Sequence, residues 1–495
     1  MRLVLAHRRR RESLYIVLLR GYLMDRNKRV AIWIGILSLI FILATYGQTQ
    51  QNKIAGETAL SYGGPPSPEE MALGHGELSG LGFTFINGEP FLRFQLQPEI
   101  DLGKVGFGLG LVLLYSSSDD GEHTILAEDG ETWDDISTLL RVVRYVRYGH
   151  LSESFYTRFG ALDFATIGHG FIMSGYSNYD RRGLRLNLSS ETKKVGVETI
   201  INNVASPTVF GGRLFVRPLQ QEEGGIPLLN SLEFGATYLT DIEPDPRLMP
   251  EGDPLIALGV DIGFPLVHNK TLRLDIYDDV ALLNTKPGSK TEEIDEIDDV
   301  AIGNAIGIGV SLSQALFKAE YRIFSDRFYP TIFDHAYDAS ENIPEFWGMD
   351  EEDDEAPARR GYFSMIAVRP VPQVNLIATF EDYTNTEPKL YAGITESGIA
   401  ERTSFRAFYV KRDIGEPDPG FPGKEGSRDP SFFEDLFRLD SKSAFIVRIG
   451  YEIFPRFEVA VLREYRFRRL ESPAGKTHFE PIQKTSVEAG FRLNF

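Results

Sequence analysis

Residues 158–180 include the side chains of this chain that are best suited to chemistry. His169 lies five residues before Ser174, and an imidazole can activate a serine hydroxyl for nucleophilic attack. The same segment is rich in glycine and in apolar and aromatic side chains, a composition that favours a loop tucked into the interior of the fold over a catalytic site. The residues predicted to narrow that interior are His169, Ser174, Tyr176 and Asn178.

A second set of candidates consists of charged residues that alternate with apolar ones. Lys318, Glu320 and Arg322 occupy every second position of their segment. In a β-strand this spacing puts all three side chains on one face and the apolar residues between them on the other. A face of this kind is costly against lipid and ordinary against water. These residues are therefore predicted to line a polar interior.

Arginines form a third set. Arg141, Arg144 and Arg147 recur at every third position, so a regular strand cannot place them on one face. A β-bulge near Val143, or an arginine that snorkels to an interface, would reconcile them. Segments that follow one another in an up-and-down meander are neighbours, so these residues predict a basic wall, or else charge pairs that hold the interior together. The predicted pore-lining arginines are Arg141, Arg147, Arg158 and Arg185.

Metal and cofactor chemistry is not indicated. Two acidic runs, at residues 292–299 and 350–355, offer oxygen ligands for divalent cations, but neither has the spacing of a calcium loop and both suit solvated external loops. No two of the eight histidines lie at zinc spacing, and cysteine is absent. A formal net charge of −19 argues against nucleic acid as a partner. We expect no cofactor, no metal and no enzymatic activity.

The elements that must position these residues are strands. From about residue 80 to the end of the chain, apolar residues occupy every second position in run after run, for example at Leu258, Val260 and Ile262. This period of two indicates β-strands, and no sustained helical period interrupts it. Beyond residue 60, no apolar stretch is long enough to cross a membrane as a helix. The sequence therefore predicts an all-β chain.

The last ten residues, SVEAGFRLNF, carry a resemblance. Val487, Ala489, Phe491, Leu493 and Phe495 fall on one face of a strand that ends on an aromatic residue. This pattern resembles the closing strand of bacterial outer-membrane β-barrel proteins. The resemblance implies a transmembrane antiparallel up-and-down β-barrel, porin-like in size, in the outer membrane of a Gram-negative bacterium. We expect the closing strand to pair with a first strand near residues 80–86 or 91–97.

The connections have the rhythm of such a barrel, in which short turns alternate with long external loops. Residues 454–456 and 313–314 are short, whereas 412–443, 325–360 and 469–485 are long. One long connection, at residues 218–230, falls where a short one is expected. The rhythm predicts about 18 strands, with 16 to 20 compatible with the sequence.

The N-terminal part is predicted to be an export signal and a leader. Arg26, Lys28 and Arg29 precede an apolar run that ends near Thr45 and Gly47, as in a signal peptide covering residues 1–47. A start codon assigned too early would account for residues 1–23. The alternative is an uncleaved inner-membrane anchor. Residues 48–79 are polar and rich in proline and are expected to form a flexible periplasmic leader before the barrel at 80–495.

These features together predict a channel for passive or selective passage of small polar solutes. One alternative is a plugged barrel that acts as a surface binding or assembly protein. The other is a lipid hydrolase at the barrel rim, since outer-membrane phospholipases use a His-x-Ser-Asn-Gly type motif that His169 and Ser174 match poorly. Expected partners are outer-membrane lipid and lipopolysaccharide, the barrel assembly machinery through Phe495, and a homotrimer of the chain.

Overall fold

The computed structural model describes residues 78–493, with gaps that fall mainly in the connections between strands. The gaps are residues 118–122, 128–132, 134–135, 152, 163, 179–180, 221–231, 245–252, 269–271, 285–299, 313, 326, 335–336, 338–357, 372, 385, 398, 400, 417–429, 441 and 472–476. The predicted signal peptide, both acidic runs, Phe495 and most of the connection at 218–230 lie outside the described residues. So does the predicted leader up to residue 77, whereas its last two residues, Leu78 and Ser79, belong to the first strand.

The regular secondary structure of the described residues is almost entirely β-strand, as the period-two alternation predicts. The elements are β1 (Leu78–Ile86), β2 (Glu89–Leu96), β3 (Glu99–Leu102), β4 (Val105–Leu109), β5 (Leu111–Ser117), β6 (His123–Leu126), α1 (Ile136–Leu140), β7 (Val143–Tyr148), β8 (Phe155–Gly160), β9 (Gly183–Ser189), β10 (Val195–Ile201), β11 (Val209–Val216), β12 (Glu233–Asp241), β13 (Leu255–His268), β14 (Leu272–Asn284), β15 (Val300–Leu312), β16 (Ala315–Phe324), β17 (Arg359–Val371), β18 (Val374–Tyr383), β19 (Lys389–Ser397), β20 (Thr403–Lys411), α2 (Phe432–Leu436), β21 (Ser443–Phe454), β22 (Phe457–Glu471) and β23 (Thr477–Arg492). No helix among these is long and apolar enough to cross a membrane.

All the strands belong to one antiparallel sheet whose pairing returns to its start. From β7 to β23 each strand pairs with the next, and β23 pairs with β1 in a register that joins Leu78 to Arg492. Near the start of the chain, two consecutive short strands share one position in the ring, and this happens three times: β2 with β3, β4 with β5, and β6 with β7. The pairings show it, because β2 pairs with β5 and β5 with β6, while β3 pairs with β4 and β4 with β7. The 23 strands among the described residues therefore fill 20 positions, the upper end of the predicted range.

Local details of the sheet agree with the sequence in two places and differ in a third. The closing strand pairs with residues 78–86, as predicted. A register shift in the pairing of β4 with β7 leaves Arg144 as the extra residue between Val143 and Tyr145, which confirms the predicted bulge. The long loop predicted for residues 469–485 is wrong: β22 continues to Glu471 and β23 begins at Thr477. Paired hydrogen bonds extend these two strands through residues whose polar composition indicated a loop.

The polarity of the sheet is inverted relative to a water-soluble protein. One face carries exposed apolar side chains on most of the described strands, such as Phe83, Val260 and Ile306. The opposite face buries charged and polar side chains, including Arg93 and Glu488. Water would drive the apolar face inward, so this arrangement is stable only where the exposed face meets lipid. The sheet therefore encloses a polar interior and presents an apolar exterior.

The interior also holds an apolar core, which is built on two connections. The first inner loop (residues 161–182, between β8 and β9) and the second inner loop (residues 325–337, after β16) contribute buried residues such as Leu162, Met173, Phe328 and Phe333. These pack on the inward face of strands β10 to β16, for example on Ala281. The fold thus places both loops inside the sheet.

Candidate functional site in the barrel interior

The first inner loop is held in a hairpin-like shape by its own backbone. Ala165 and Tyr176 exchange backbone hydrogen bonds of 2.7 and 2.9 Å. Asn178 is buried; its side-chain oxygen accepts from the Leu162 N–H at 2.8 Å, and its side-chain nitrogen donates to the Asn202 carbonyl at 2.8 Å. These contacts satisfy buried polar groups at both ends of the loop. Two of the predicted constriction residues, Tyr176 and Asn178, therefore fix the loop in place.

The tip of this loop presents His169 between two glycines. Gly168 and Gly170 have φ values of +58° and +87°, a region that favours glycine, so the turn needs these residue types. Space matters as well, because a Cβ at position 168 would lie 2.8 Å from Cδ of Arg213. The glycine content that the sequence shows is thus a requirement of the turn that carries His169.

The second inner loop pairs with the first. The Ser174 N–H donates to the Phe333 carbonyl, and the Phe333 N–H donates to the Ile172 carbonyl, at 3.1 and 3.2 Å. Tyr337 reaches Asp241 of β12 through its hydroxyl at 2.7 Å, and Asp334 accepts from Lys389 of β19 at 2.7 Å. The two loops therefore form one layer that is anchored to strands on different sides of the ring.

Three arginines lie side by side on one arc of the interior wall. Arg147 of β7 is the cross-strand partner of Arg158 of β8, which is the partner of Arg185 of β9. We call these three residues the arginine row. Each donates to a backbone carbonyl: Arg147 to Gly149, Arg158 to Ala161 and Arg185 to Thr166, at 2.7 to 2.9 Å. Like charges directly opposite one another disfavour a sheet, and these carbonyls help to offset the repulsion.

A second group faces the first inner loop from β13 and β14. His169 Nδ1 lies 3.0 Å from Asp279 Oδ1 and 3.9 Å from Asp261 Oδ1, and its ring stacks on Tyr277 with centroids 4.1 Å apart. We call His169, Asp261 and Asp279 the histidine–carboxylate cluster. Burial opposes protonation of the imidazole, but the hydrogen bond to Asp279 and the two negative charges raise the pKa of His169 above its ordinary value.

The charges of β16 form a buried network beside this cluster. Glu320 accepts from Arg322 Nε at 2.7 Å and from the Tyr277 hydroxyl at 2.8 Å, and it pairs with Lys318 at 2.6 Å. Lys318 also donates to the His169 carbonyl. Gly307 leaves room for this arrangement, because a Cβ there would collide with the Tyr277 ring. The network ties the wall to the tip of the first inner loop.

The structure brings most of the predicted residues together, with exceptions. Arg141 lies in the turn between α1 and β7, outside the arginine row, and its carbonyl accepts from Arg182 at 2.8 Å. Ser174 contacts the second inner loop through its backbone, whereas His169 is bonded to Asp279. Asp261 and Asp279 are missing from the sequence-based candidates because they lie far along the chain from His169. The only local signal is their position on the inward, polar face of their strands.

Comparisons with known proteins leave the family open. No protein-family model matches the chain, and no curated protein matches it. Among solved structures, the ferric-catecholate import receptor Fiu from E. coli K12 matches with a TM-score of 0.32 and 10% identity over 83% of this chain and 81% of that one. OccK5 (OpdH) and OprD of Pseudomonas aeruginosa match with TM-scores of 0.27, at 11% and 10% identity, over 83% and 88% of this chain and 95% and 97% of theirs.

The strand pairing and the polarity of the two faces show what class of protein this is. The pairing of β23 with β1 returns the sheet to its first strand, which leaves no edge. The exposed face is apolar and the buried face is charged. A sheet that crosses lipid must be closed, because an edge strand would leave backbone hydrogen bonds unsatisfied there. The chain is therefore a transmembrane antiparallel β-barrel.

Proposed function

We propose that this barrel is a selective channel for small polar solutes. The observation that carries the proposal is the position of the first inner loop, which lies inside the barrel between the arginine row and the histidine–carboxylate cluster. Arg185 reaches the loop at the Thr166 carbonyl, at 2.9 Å, and Asp279 reaches it at His169, at 3.0 Å. A solute that crosses the barrel passes a loop with the arginine row on one side and, on the other, a wall in which carboxylates are paired with cations such as Lys318.

This charge arrangement favours solutes that carry polar groups. The arginine row and the carboxylates occupy different arcs of the wall, β7 to β9 and β13 to β16. Rings and arcs of fixed charge set selectivity in pores, and loops set their diameter. Under this proposal His169, Ser174, Tyr176 and Asn178 belong to the constriction, and the inward charges of β7, β8, β9 and β16 line the path.

The barrel is proposed to lie in the outer membrane. The exposed apolar band contacts outer-membrane lipid, and lipopolysaccharide contacts its external rim. Phe495, which lies outside the described residues, is the proposed contact for the barrel assembly machinery. Homotrimer contacts would use the same outward apolar residues, such as Ile306 and Val260.

Uptake by proteoliposomes tests the proposed function. The refolded chain is placed in vesicles, and swelling is followed after addition of sugars and amino acids of increasing size. We expect swelling with small polar solutes and a size limit, because the two inner loops occupy part of the barrel interior. Vesicles that never swell with any solute would favour a plugged barrel whose external loops bind a partner.

A further inference from the structure

The histidine–carboxylate cluster has the composition of a metal site. His169, Asp261 and Asp279 each offer one ligand atom, and these atoms all lie within 4.8 Å of one another. Imidazole nitrogen with carboxylate oxygen suits first-row transition metals such as Zn²⁺ and Ni²⁺. With metal–ligand bonds of about 2.0 to 2.2 Å, the ligands of a tetrahedral ion are about 3.4 Å apart. The observed 3.0 and 3.9 Å separations from Nδ1 bracket that value.

An unsatisfied oxygen points independently to a ligand. Asp279 is 7% exposed, and its Oδ2 has no hydrogen-bond partner among the described residues. A buried carboxylate oxygen that stays unpaired is costly, and a cation satisfies it. The side chain of His169 keeps 21% exposure, and a cavity lined by His169, Asp261 and Asp279 opens beside it. An ion in that cavity can reach all three ligands.

Neighbouring side chains hold His169 and Asp261 in fixed orientations. Arg213 holds both oxygens of Asp261, at 2.6 and 2.8 Å, and shares its charge with Glu233 at 2.7 Å. Tyr277 stacks on the imidazole, and Lys318 fixes the His169 carbonyl. Ligating carboxylates and histidines are usually fixed by such outer contacts. Glu233 pairs with Arg213 and also with Arg217, each at 2.7 Å, so the charges around Asp261 are balanced in number.

We propose that His169, Asp261 and Asp279 bind a divalent transition-metal ion inside the barrel. The ion joins the tip of the first inner loop to strands β13 and β14. The test of metal binding does not depend on solute passage, because binding can be measured whether or not the barrel conducts.

Calorimetric titration of the refolded full-length chain with Zn²⁺ tests the proposal. We expect one site that millimolar Ca²⁺ does not displace, since calcium prefers all-oxygen sites. His169→Ala and Asp279→Asn each weaken binding at least tenfold, whereas His150→Ala, which removes an imidazole from a turn at the barrel end, leaves it unchanged. An isotherm that is the same in His169→Ala and in the unmodified protein, or no binding to either, overturns the site.

A measurement on the unmodified protein guards against variants that fail to fold. Diethyl pyrocarbonate modifies accessible imidazoles, and bound Zn²⁺ should slow modification of His169 by an order of magnitude while His150 reacts at its former rate. Equal rates at His169 with and without Zn²⁺ overturn the proposal. Zinc held only by the acidic runs at residues 292–299 and 350–355 would give that result.

Discussion

Phe164 of the first inner loop packs against Tyr391 of β19, with ring centroids 5.9 Å apart. The loop begins at β8, the fifth of the 20 positions around the barrel, and β19 occupies the sixteenth. The two residues therefore join nearly opposite sides of the wall. Phe164 is buried with Ala367 and Ile377 in a small apolar cluster of its own. The first inner loop crosses the interior and is fixed at both sides.

Removing this crossing contact should widen the channel. In Phe164→Ala the loop loses its anchor on β19, so we expect larger single-channel conductance in planar bilayers, by about twofold or more. Phe433→Ala is the matched control, because Phe433 is 70% exposed in α2 and touches neither inner loop among the described contacts. Equal conductance for Phe164→Ala and the unmodified protein would show that this contact does not limit the path.

The buried network of β16 should contribute strongly to stability. Glu320→Gln leaves Lys318 and Arg322 in a buried site without their shared carboxylate. Breaking a buried pair in this way costs about 3 to 5 kcal/mol. Urea unfolding of the refolded barrel measures this loss of unfolding free energy.

The matched control for Glu320→Gln is Asp275→Asn. Its partner Arg273 has a side chain that is 48% exposed, so this pair is solvated and its loss should cost less than about 1 kcal/mol. If the two variants unfold at the same urea concentration, the β16 network is not a stabilising element.

The outward face offers a test of the inverted polarity. Ile306 lies in the middle of β15 and is 54% exposed, so Ile306→Arg puts a charge against the centre of the bilayer. We expect a loss of about 2 to 4 kcal/mol in unfolding free energy in lipid vesicles. Leu219→Arg, in the turn after β11, should change it by less than about 1 kcal/mol. A tolerated arginine at position 306 would place that face in water.

Acid should break the contacts that Asp435 makes within the connection between β20 and β21. Asp435 in α2 accepts from Lys442 at 2.8 Å and from the Gly415 N–H at 2.9 Å. Burial opposes ionisation of Asp435, but these hydrogen bonds and the charges of Lys442 and Lys411 lower its pKa below the ordinary 3.8. The ionised form is the one stabilised by folding, so this contribution is present above pH 3.8 and is lost as the pH falls through the lowered value.

Hydrogen exchange at residues 412–416 and 430–440 measures this effect. In the unmodified protein, protection should be lost as the pH falls from neutral to values below 3.8. In Asp435→Asn, protection should be low at neutral pH already. Protection that stays constant through this range in the unmodified protein would rule out Asp435 as the anchor of the connection.

The strands were predictable from sequence because lipid and a polar interior impose opposite demands on alternate residues. Val487 and Glu488 show both demands in two adjacent positions, one exposed and one buried. The arginine row was predictable for a related reason, since consecutive strands of a meander are neighbours. The bulge near Val143 was predictable because three arginines at a spacing of three do not fit a regular strand.

The histidine–carboxylate cluster was not predictable, because tertiary packing alone brings its members together. His169 and Asp279 are 110 residues apart, and neither local spacing nor composition links them. The depth of the first inner loop was suggested by its apolar content. Its contact with β19 depends on where Phe164 meets Tyr391, which no local pattern encodes.

Single-channel recording on a shortened loop tests the proposed constriction most directly. Residues 164–178 are replaced by a short Gly-Ser linker, and the refolded variant is compared with the unmodified protein in the same planar bilayer. We expect small conductance steps from the unmodified protein and steps several times larger from the variant, because the first inner loop no longer crosses the interior. Silence from both proteins, or steps of equal size, would contradict a channel narrowed by this loop.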